Sequence, residues 1–330
     1  MIILKLFGGL LTILAGAEFF TNGVEWLGKR LNLSQGAVGS LLAAVGTALP
    51  ESTIPIIAFI KGGQTGEHVG IGAILGAPFM ISTLGFFVVG LGAFLFARRR
   101  DSGLTVDISH NQLSKDMGYF LFFYCLALFA AFMPFIWVRR VIALCLIAGY
   151  LHYSIRTVTD DCSVMGECAP LFLSRRADLP RMRWISTQVT LALMLIVGGA
   201  YIFVIGVEGG ARYMGLSPLL VALVVAPVAT ELPEKFNSMI WMREGKDVLA
   251  SGNMSGAMVF QSSLLPALGM ISTPWAISGM ALLTTIFAIA AGIYIWLLSR
   301  FRKDRVNAVH LMAPALLYIY FAVRVLQSIH

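Results

Sequence analysis

Long apolar segments are the feature that most constrains what this chain can fold into. Ten of them follow one another, and most reach the ~20 residues that a helix needs to cross a bilayer. Lipid offers no hydrogen-bond partners, so each segment must satisfy its own backbone N–H and C=O groups as a helix. The sequence therefore predicts an all-α integral membrane protein with ten transmembrane helices. The predicted spans are residues 2–26, 33–60, 68–97, 117–135, 139–157, 185–211, 216–242, 247–272, 274–298 and 306–327.

Charged residues are scarce and unevenly placed. Only 12% of the residues are charged and 58% are hydrophobic, which leaves little room for a soluble domain. If the spans alternate in direction, 17 of the 24 Lys and Arg residues lie on one face of the membrane and six on the other, with Lys235 inside a span. The richer face is then cytoplasmic. We expect a multi-pass protein of the cell membrane with both termini extracellular or periplasmic, and its net charge of +7 does not indicate a nucleic-acid partner.

An internal repeat divides the chain into two halves. With an offset of 183 residues, 16–51 aligns without a gap with 199–234, and 15 of the 36 positions are identical. Five predicted spans separate equivalent points, and an odd number inverts the second copy in the membrane, as in secondary transporters. We therefore predict a first five-helix repeat (1–157), a short cytoplasmic loop (158–184) and a second, inverted repeat (185–330). A duplicated bundle with a structural role is the alternative.

The most specific shared segment places a glutamate beside a proline in the middle of a predicted span. In the first copy it reads Gly46-Thr-Ala-Leu-Pro-Glu51. A carboxylate at this depth is costly and usually functional. Thr47 lies on the same helical face, and Pro50 has no N–H with which to bond the carbonyl of Gly46. The stretch thus offers a carboxylate, a hydroxyl and a free carbonyl, which are oxygen ligands that suit hard cations such as Ca²⁺ or Na⁺.

The second copy, Ala229-Thr-Glu-Leu-Pro-Glu234, repeats this arrangement with the carbonyl of Ala229, the hydroxyl of Thr230 and the carboxylate of Glu234. Two inverted half-sites that face each other would place Glu51 and Glu234 around one divalent metal ion near the bilayer midplane. The alternative is a pair of proline kinks whose glutamates are protonated or internally paired.

Four further polar residues of the second copy differ from their first-copy counterparts. Glu231 and Lys235 are four residues apart on one helix, with the glutamate on the N-terminal side, which is the favourable order for an ion pair. Such a pair either neutralises itself or takes part in transport. Asn253 and Gln261 lie on the third helix of the second repeat, where the first repeat has apolar residues. All four are possible accessory residues of the cation site.

Other small or polar residues have simpler interpretations. The Gly252-x-x-x-Gly256 spacing, which the first repeat shares, allows the third helix to approach the broken second helix closely. Glu25 and its equivalent Glu208 lie near a membrane surface and are interpreted as anchors or cation-attracting charges. Cys162 and Cys168 lie in the cytoplasmic loop, where thiols stay reduced, and their spacing fits no standard zinc site.

These motifs resemble those of the sodium/calcium exchanger family, within the calcium/cation antiporter superfamily, and the chain is identified as a divergent member. Segments 46–51 and 229–234 resemble the family's Gly-Thr-Ser-x-Pro-Glu motif. Segments 72–81 and 252–261 resemble its Gly-Asn-x-x-Gly-Ser-Asn-x-x-Asn pattern. The likeness covers essentially the whole chain.

The resemblance implies roles for individual residues. Glu51 and Glu234 correspond to the two calcium-binding glutamates of the family, and Thr47 and Thr230 correspond to ligands in the same motifs. Several side chains that help to bind sodium in the family are replaced. The replacements are Ala48 and Glu231 for the motif serine, Ala77 and Ala257 for the helix-3 serines, and Ile81 and Gln261 for the residue that ends the pattern.

The sequence thus predicts a secondary active antiporter that exchanges a divalent cation, Ca²⁺ in the first place, for Na⁺ or H⁺ by alternating access. These ions are transported substrates, and no cofactor is predicted. A cation channel and an intramembrane enzyme that uses the paired glutamates are the alternatives. The chain has no HExxH motif and its five histidines are scattered, which disfavours the enzyme.

Overall fold

The computed structural model describes residues 2–61, 63–159, 168–174, 179–213, 231–302 and 304–327, which are mainly helical. The α-helices, numbered in chain order, are α1 (Ile2–Arg30), α2 (Gln35–Ala37), α3 (Ala44–Thr47), α4 (Leu49–Lys61), α5 (Gly63–Met80), α6 (Phe86–Leu95), α7 (His110–Ala131), α8 (Ile136–Thr159), α9 (Met182–Tyr213), α10 (Leu232–Arg243), α11 (Asp247–Ser272), α12 (Gly279–Arg302), α13 (Ala308–Met312) and α14 (Ala315–Gln327). The π-helical segments Val38–Ala43 and Ile81–Gly85 join α2 to α3 and α5 to α6. Single 3₁₀ turns occupy Ala97–Arg99 and Phe172–Ser174, and the short strands β1 (Thr105–Asp107) and β2 (Arg305–Asn307) pair antiparallel.

Eight helical segments of the described chain are long and apolar enough to cross a membrane. They match eight of the ten predicted spans and confirm an all-helical, multi-pass membrane protein. The other two predicted spans, 33–60 and 216–242, carry the paired motifs. The first consists of shorter helices with an interruption at Ala48. In the second, the structure describes only residues 231–242. The eight segments are Ile2–Arg30, Gly70–Leu95, His110–Ala131, Ile136–Thr159, Met182–Phe203, Asp247–Ser272, Gly279–Arg302 and Ala308–Val325.

Helix α11 and the continuous α5–α6 segment lie at the centre of the bundle. Within their most apolar stretches, 83% of the α11 residues and 78% of those in Gly70–Leu95 are buried, against 22% for α1. The buried residues of α11 are rich in Gly, Ala and Ser, which lets neighbouring backbones approach closely. Large apolar side chains such as Phe7 and Trp137 are exposed on peripheral helices, as expected of surfaces that contact lipid.

Helices α1 and α9, which begin the two sequence repeats, pack against each other through glycines. A Cβ atom on Gly16 would lie 3.0 Å from the nitrogen of Ile196, and one on Gly199 would lie 2.9 Å from the nitrogen of Ile13. Gly16 and Gly199 are equivalent at the 183-residue offset, and so are Ile13 and Ile196. The contacts are therefore reciprocal, as a two-fold relation between equivalent helices requires.

Polar contacts join loops that the predicted alternation of spans places on the same face. Strand β1 pairs with β2, and Arg100 forms a buried ion pair with Asp247, which connects the α6–α7 loop to the start of α11. At the predicted opposite face, the Arg139 guanidinium donates to the carbonyl of Pro274. The observed grouping of loops agrees with the predicted alternation.

Candidate cation site

The first motif lies at an interruption between two helices. Helix α3 ends at Thr47 and α4 begins at Leu49, while Ala48 between them has φ −75° and ψ 3°. The buried Thr47 hydroxyl donates to the carbonyl of Ala43 at 3.0 Å, which leaves its oxygen lone pairs available. Gly46 packs against α1, because a Cβ there would lie 2.7 Å from the ring of Phe20. Close packing thus requires glycine at this position of the motif.

The second motif has the same backbone geometry where it is described. Thr230 and Ala229 lie outside the described residues, which resume at Glu231. Glu231 has φ −89° and ψ 9° and precedes α10, with Pro233 in the first turn of that helix. Because Glu231 is equivalent to Ala48, the two copies place the motif glutamate at the same point, in the first turn of a helix that follows a non-helical residue.

The motif glutamates come together inside the protein. Glu51 is 3% exposed and Glu234 is 0% exposed, and their carboxyl groups interact directly although 183 residues separate them. Gln261 donates from Nε2 to one oxygen of Glu51 at 2.7 Å. No donor from the described residues reaches the other Glu51 oxygen or either oxygen of Glu234. Buried carboxylate oxygens without donors are costly, so this pair needs cations or protons to balance it.

Amide side chains complete the oxygen-rich surroundings of the pair. Asn253 Nδ2 donates to the carbonyl of Glu234 and to the hydroxyl of Ser238, each at 3.1 Å. The side-chain oxygens of Asn253 and Gln261 themselves have no partner among the described residues. Both predicted accessory residues on α11 therefore contact a motif glutamate, one through its backbone and the other through its carboxylate.

Asn237 is a candidate that sequence reasoning missed. It is fully buried, and neither its Oδ1 nor its Nδ2 atom has a hydrogen-bond partner in the described parts of the chain. The available signal was its position on α10, three residues after Glu234, which places it on the same helical face. Its counterpart in the first copy is the apolar Ile54, so the repeat did not single it out.

The predicted pair of Glu231 and Lys235 is present. Lys235 Nζ lies 2.8 Å from Glu231 Oε2, and the two side chains are 10% and 0% exposed, respectively. Lys235 also interacts electrostatically with Glu51 and Glu234. The site region therefore holds three buried carboxylates and one buried ammonium group, so its formal charge is −2 when all four groups are ionised.

The remaining acidic candidates lie elsewhere. Glu25 accepts from Trp241 Nε1 at 2.9 Å and binds Lys246 at 2.6 Å, in agreement with the interpretation as an anchor. Burial alone would lower the pKa of Lys246, but the Glu25 carboxylate outweighs it and the pKa is raised. Glu18 pairs with Arg243 at a half-exposed position. The side chain of Glu208 lies outside the described part.

The glycine pair of α11 contacts a different partner from the one that its own repeat suggested. A Cβ on Gly256 would overlap the backbone of Ser40, and a Cβ on Gly252 would lie 3.3 Å from the Ser40 hydroxyl. Conversely, a Cβ on Gly39 would lie 2.9 Å from the carbonyl of Leu249. The third helix of the second repeat thus packs on the second helix of the first repeat, which carries Glu51.

The two cysteines of loop 158–184, which the sequence predicts to be cytoplasmic, are only partly described. Cys162 lies outside the described residues, and Cys168 is half-buried. Burial raises the pKa of the Cys168 thiol, which disfavours the thiolate that metals bind. Among the described residues, no group of three or more His, Cys, Asp or Glu side chains could hold a metal ion.

The fold and this site define a class: a polytopic helical membrane protein with a buried pair of carboxylates, each in the first turn of a helix. The family model for sodium/calcium exchanger proteins matches residues 1–158 and 185–327. The chain therefore belongs to the sodium/calcium exchanger family, as the motif resemblance indicated. It is a cation antiporter by family and not an enzyme.

Individual relatives resemble nearly the whole chain. The putative antiporter CaxA of Alkalimonas amylolytica is 23% identical over 95% of this chain and 94% of its own length. The inner membrane protein YrbG of Escherichia coli is 23% identical over 83% of this chain and 80% of its own. The solved structure of the exchanger NCX_Mj superposes with a TM-score of 0.76 at 18% identity and covers 98% of this chain and 99% of that one. The last comparison shows a shared fold.

Proposed function

We propose that this protein exchanges a divalent cation for Na⁺ or H⁺ by alternating access, with Ca²⁺ as the favoured divalent cation. The observation that carries the proposal is the buried contact between Glu51 and Glu234, three of whose four carboxylate oxygens have no donor among the described residues. Two carboxylates supply the charge that a divalent ion requires, and oxygen ligands suit Ca²⁺. NCX_Mj, which shares the fold, was soaked with Na⁺, Ca²⁺ and Sr²⁺.

The proposed ligand set includes backbone and hydroxyl oxygens from both motifs. In the first copy these are the carbonyl of Gly46 and the hydroxyl of Thr47, next to the interruption at Ala48. In the second copy they are the carbonyl of Ala229 and the hydroxyl of Thr230. Pro50 and its equivalent each remove one helical N–H, which would free these carbonyls for the ion.

Ten helices in two inverted repeats provide the proposed alternating access. The reciprocal packing of α1 on α9 supports a two-fold relation between the halves, and the 183-residue repeat extends it to both motifs. In transporters of this plan, the ion site lies where interrupted helices of the two repeats meet, and the repeats move around it.

Of the two candidate counter-ions, H⁺ is proposed in preference to Na⁺. In the sodium/calcium exchanger motifs that this chain resembles, four positions carry polar side chains that help to bind Na⁺. In this chain the same positions are buried and apolar, so they offer Na⁺ no side-chain oxygen. A carboxylate pair can exchange protons for a cation without them. The four residues are Ala48, Ala77, Ile81 and Ala257.

Flux into proteoliposomes tests the exchange. With Ca²⁺ outside, we expect uptake to require a counter-ion gradient, to respond to an imposed pH gradient and to persist without Na⁺. Uphill Ca²⁺ movement driven by that gradient would establish antiport. Strict dependence on Na⁺ with no response to pH would refute proton coupling, and dissipative flux without any counter-ion would indicate a channel.

Orientation is tested separately by cysteine labelling. In a variant without the four native cysteines, Leu179→Cys places a thiol at an exposed position before α9, on the face with most Lys and Arg. We expect it to be shielded from an impermeant thiol reagent in intact cells, because that face is predicted to be cytoplasmic. The matched Pro134→Cys thiol, between α7 and α8, should react. The reverse labelling pattern would overturn the orientation.

A further inference from the structure

Asp116 is a fully buried acid on α7 that the proposed exchange does not use. Its carboxylate accepts four hydrogen bonds from four different side chains. Oδ2 accepts from the hydroxyls of Ser40 at 2.7 Å and Ser255 at 2.6 Å. Oδ1 accepts from Gln112 Nε2 at 2.7 Å and from the Tyr153 hydroxyl at 2.9 Å. These bonds use the whole acceptor capacity of a carboxylate.

This saturation distinguishes Asp116 from the motif glutamates. Glu234 is equally buried, yet neither of its oxygens has a donor among the described residues. An oxygen that already accepts two hydrogen bonds has no lone pair for a cation. The contacts of Asp116 therefore suit a group that holds other side chains in place.

Two of the four donors, Ser40 and Ser255, belong to the two segments that supply the proposed site. Ser40 lies in the π-helical segment seven residues before Thr47. Ser255 lies on α11, two residues after Asn253 and six before Gln261, and these two amides contact Glu234 and Glu51. The backbones of the two segments are already in contact through the glycines of α11. The Asp116 carboxylate, which bonds to a serine of each segment, therefore holds them at a fixed relative position.

We propose that Asp116 is a positioning residue for cation exchange: by joining Ser40 to Ser255, it sets the spacing between the segment that carries Thr47 and Glu51 and the α11 amides. The inference rests on the proposed function. Supporting groups around a metal site change its affinity by about 10- to 100-fold when they are removed. The connection crosses the two halves of the chain, and no repeat-based alignment would reveal it.

Two substitutions separate positioning from ion carriage. Asp116→Ala removes the connection, and we expect the half-saturating Ca²⁺ concentration in proteoliposomes to rise about tenfold, with a maximal rate within about twofold of that of the unmodified protein. Asp116→Asn should restore the affinity. Its amide oxygen can accept from Gln112 and Tyr153, and its amide N–H groups can donate to Ser40 and Ser255, because a hydroxyl is both donor and acceptor.

Matched variants guard against misfolding. Ser255→Ala leaves the carboxylate three donors and should reproduce the affinity loss. Tyr153→Phe removes one donor from α8, which carries no proposed ligand, and should lower the thermal midpoint without changing the affinity. Hydrogen exchange of the full-length protein in nanodiscs gives a readout that does not require transport: residues 38–51 and 247–263 should exchange faster in Asp116→Ala but not in Asp116→Asn.

The outcomes are distinct. If the unmodified protein transports no divalent cation, the proposed function fails, and hydrogen exchange alone decides the role of Asp116. If Asp116→Asn loses affinity as Asp116→Ala does, the negative charge itself is required and positioning is refuted. Unchanged Ca²⁺ affinity and unchanged hydrogen exchange in both Asp116→Ala and Ser255→Ala would also refute the positioning role.

Discussion

Glutamine in place of Glu51 or Glu234 is expected to abolish divalent-cation exchange while the protein stays folded. The amide keeps the size of the side chain and removes the charge on which a hard divalent ion depends. Removing one charged partner in a buried environment costs about 3 kcal/mol or more, which corresponds to about 100-fold in affinity. We therefore expect Ca²⁺ uptake by either variant to fall to about 1% of the unmodified rate or below.

Stability measurements provide an independent check on these variants. Without divalent cations, each should be at least as stable as the unmodified protein, because the substitution relieves the contact between two buried carboxylates. Added Ca²⁺ should raise the thermal midpoint of the unmodified protein and leave that of the variants unchanged. Glu18→Gln is the matched control, since Glu18 is half-exposed and pairs with Arg243, and it should transport normally. Near-normal exchange by both motif variants would exclude Glu51 and Glu234 as the site.

Methionine at position 235 is expected to change which cations the exchange requires. Lys235 lies 2.8 Å from Glu231 and interacts with both motif glutamates. Lys235→Met removes the ammonium group, and an unpaired buried carboxylate costs about 3 to 5 kcal/mol, so Glu231 must then take up a proton or a metal ion. We expect a given change in pH or Na⁺ concentration to alter the Ca²⁺ uptake rate of this variant at least about tenfold more than that of the unmodified protein.

The double substitution Glu231→Gln with Lys235→Met is the control for this result. It removes both charges of the pair and leaves the formal charge of the region unchanged, so its cation dependence should return toward that of the unmodified protein. Uptake is measured at several pH values with and without Na⁺ for all three proteins. If Lys235→Met folds and keeps the unmodified dependence, the pair only neutralises itself and has no part in coupling.

Features that depend on local sequence were predictable. The spans follow from apolar length, because lipid admits only helices there. Glu231 and Lys235 meet because residues four apart on a helix are neighbours, and the pairing was expected without any knowledge of the fold. The prediction that Glu51 and Glu234 bind the cation followed from a repeat that keeps a costly charge in two apolar segments.

Features that depend on which helix faces meet were not predictable. Asp116 and Asn237 lie outside the shared motifs, and the donors that surround Asp116 come from four separate positions in the sequence. The contact from Gln261 to Glu51 spans 210 residues. The glycine spacing on α11 predicted close packing, yet the partner, Ser40 of the other repeat, required the structure.

The sequence by itself therefore determined a multi-pass helical exchanger whose two halves each carry a glutamate beside a proline, because bilayer length, helix periodicity and internal duplication are all readable along one chain. Only the tertiary structure decided that α11 of the second half packs against the first half, that its amides contact both glutamates and that Asp116 joins Ser40 to Ser255. The physical reason is that apolar surroundings favour every helix about equally, whereas the pairing of helix faces depends on close packing and hydrogen bonds between residues distant in sequence.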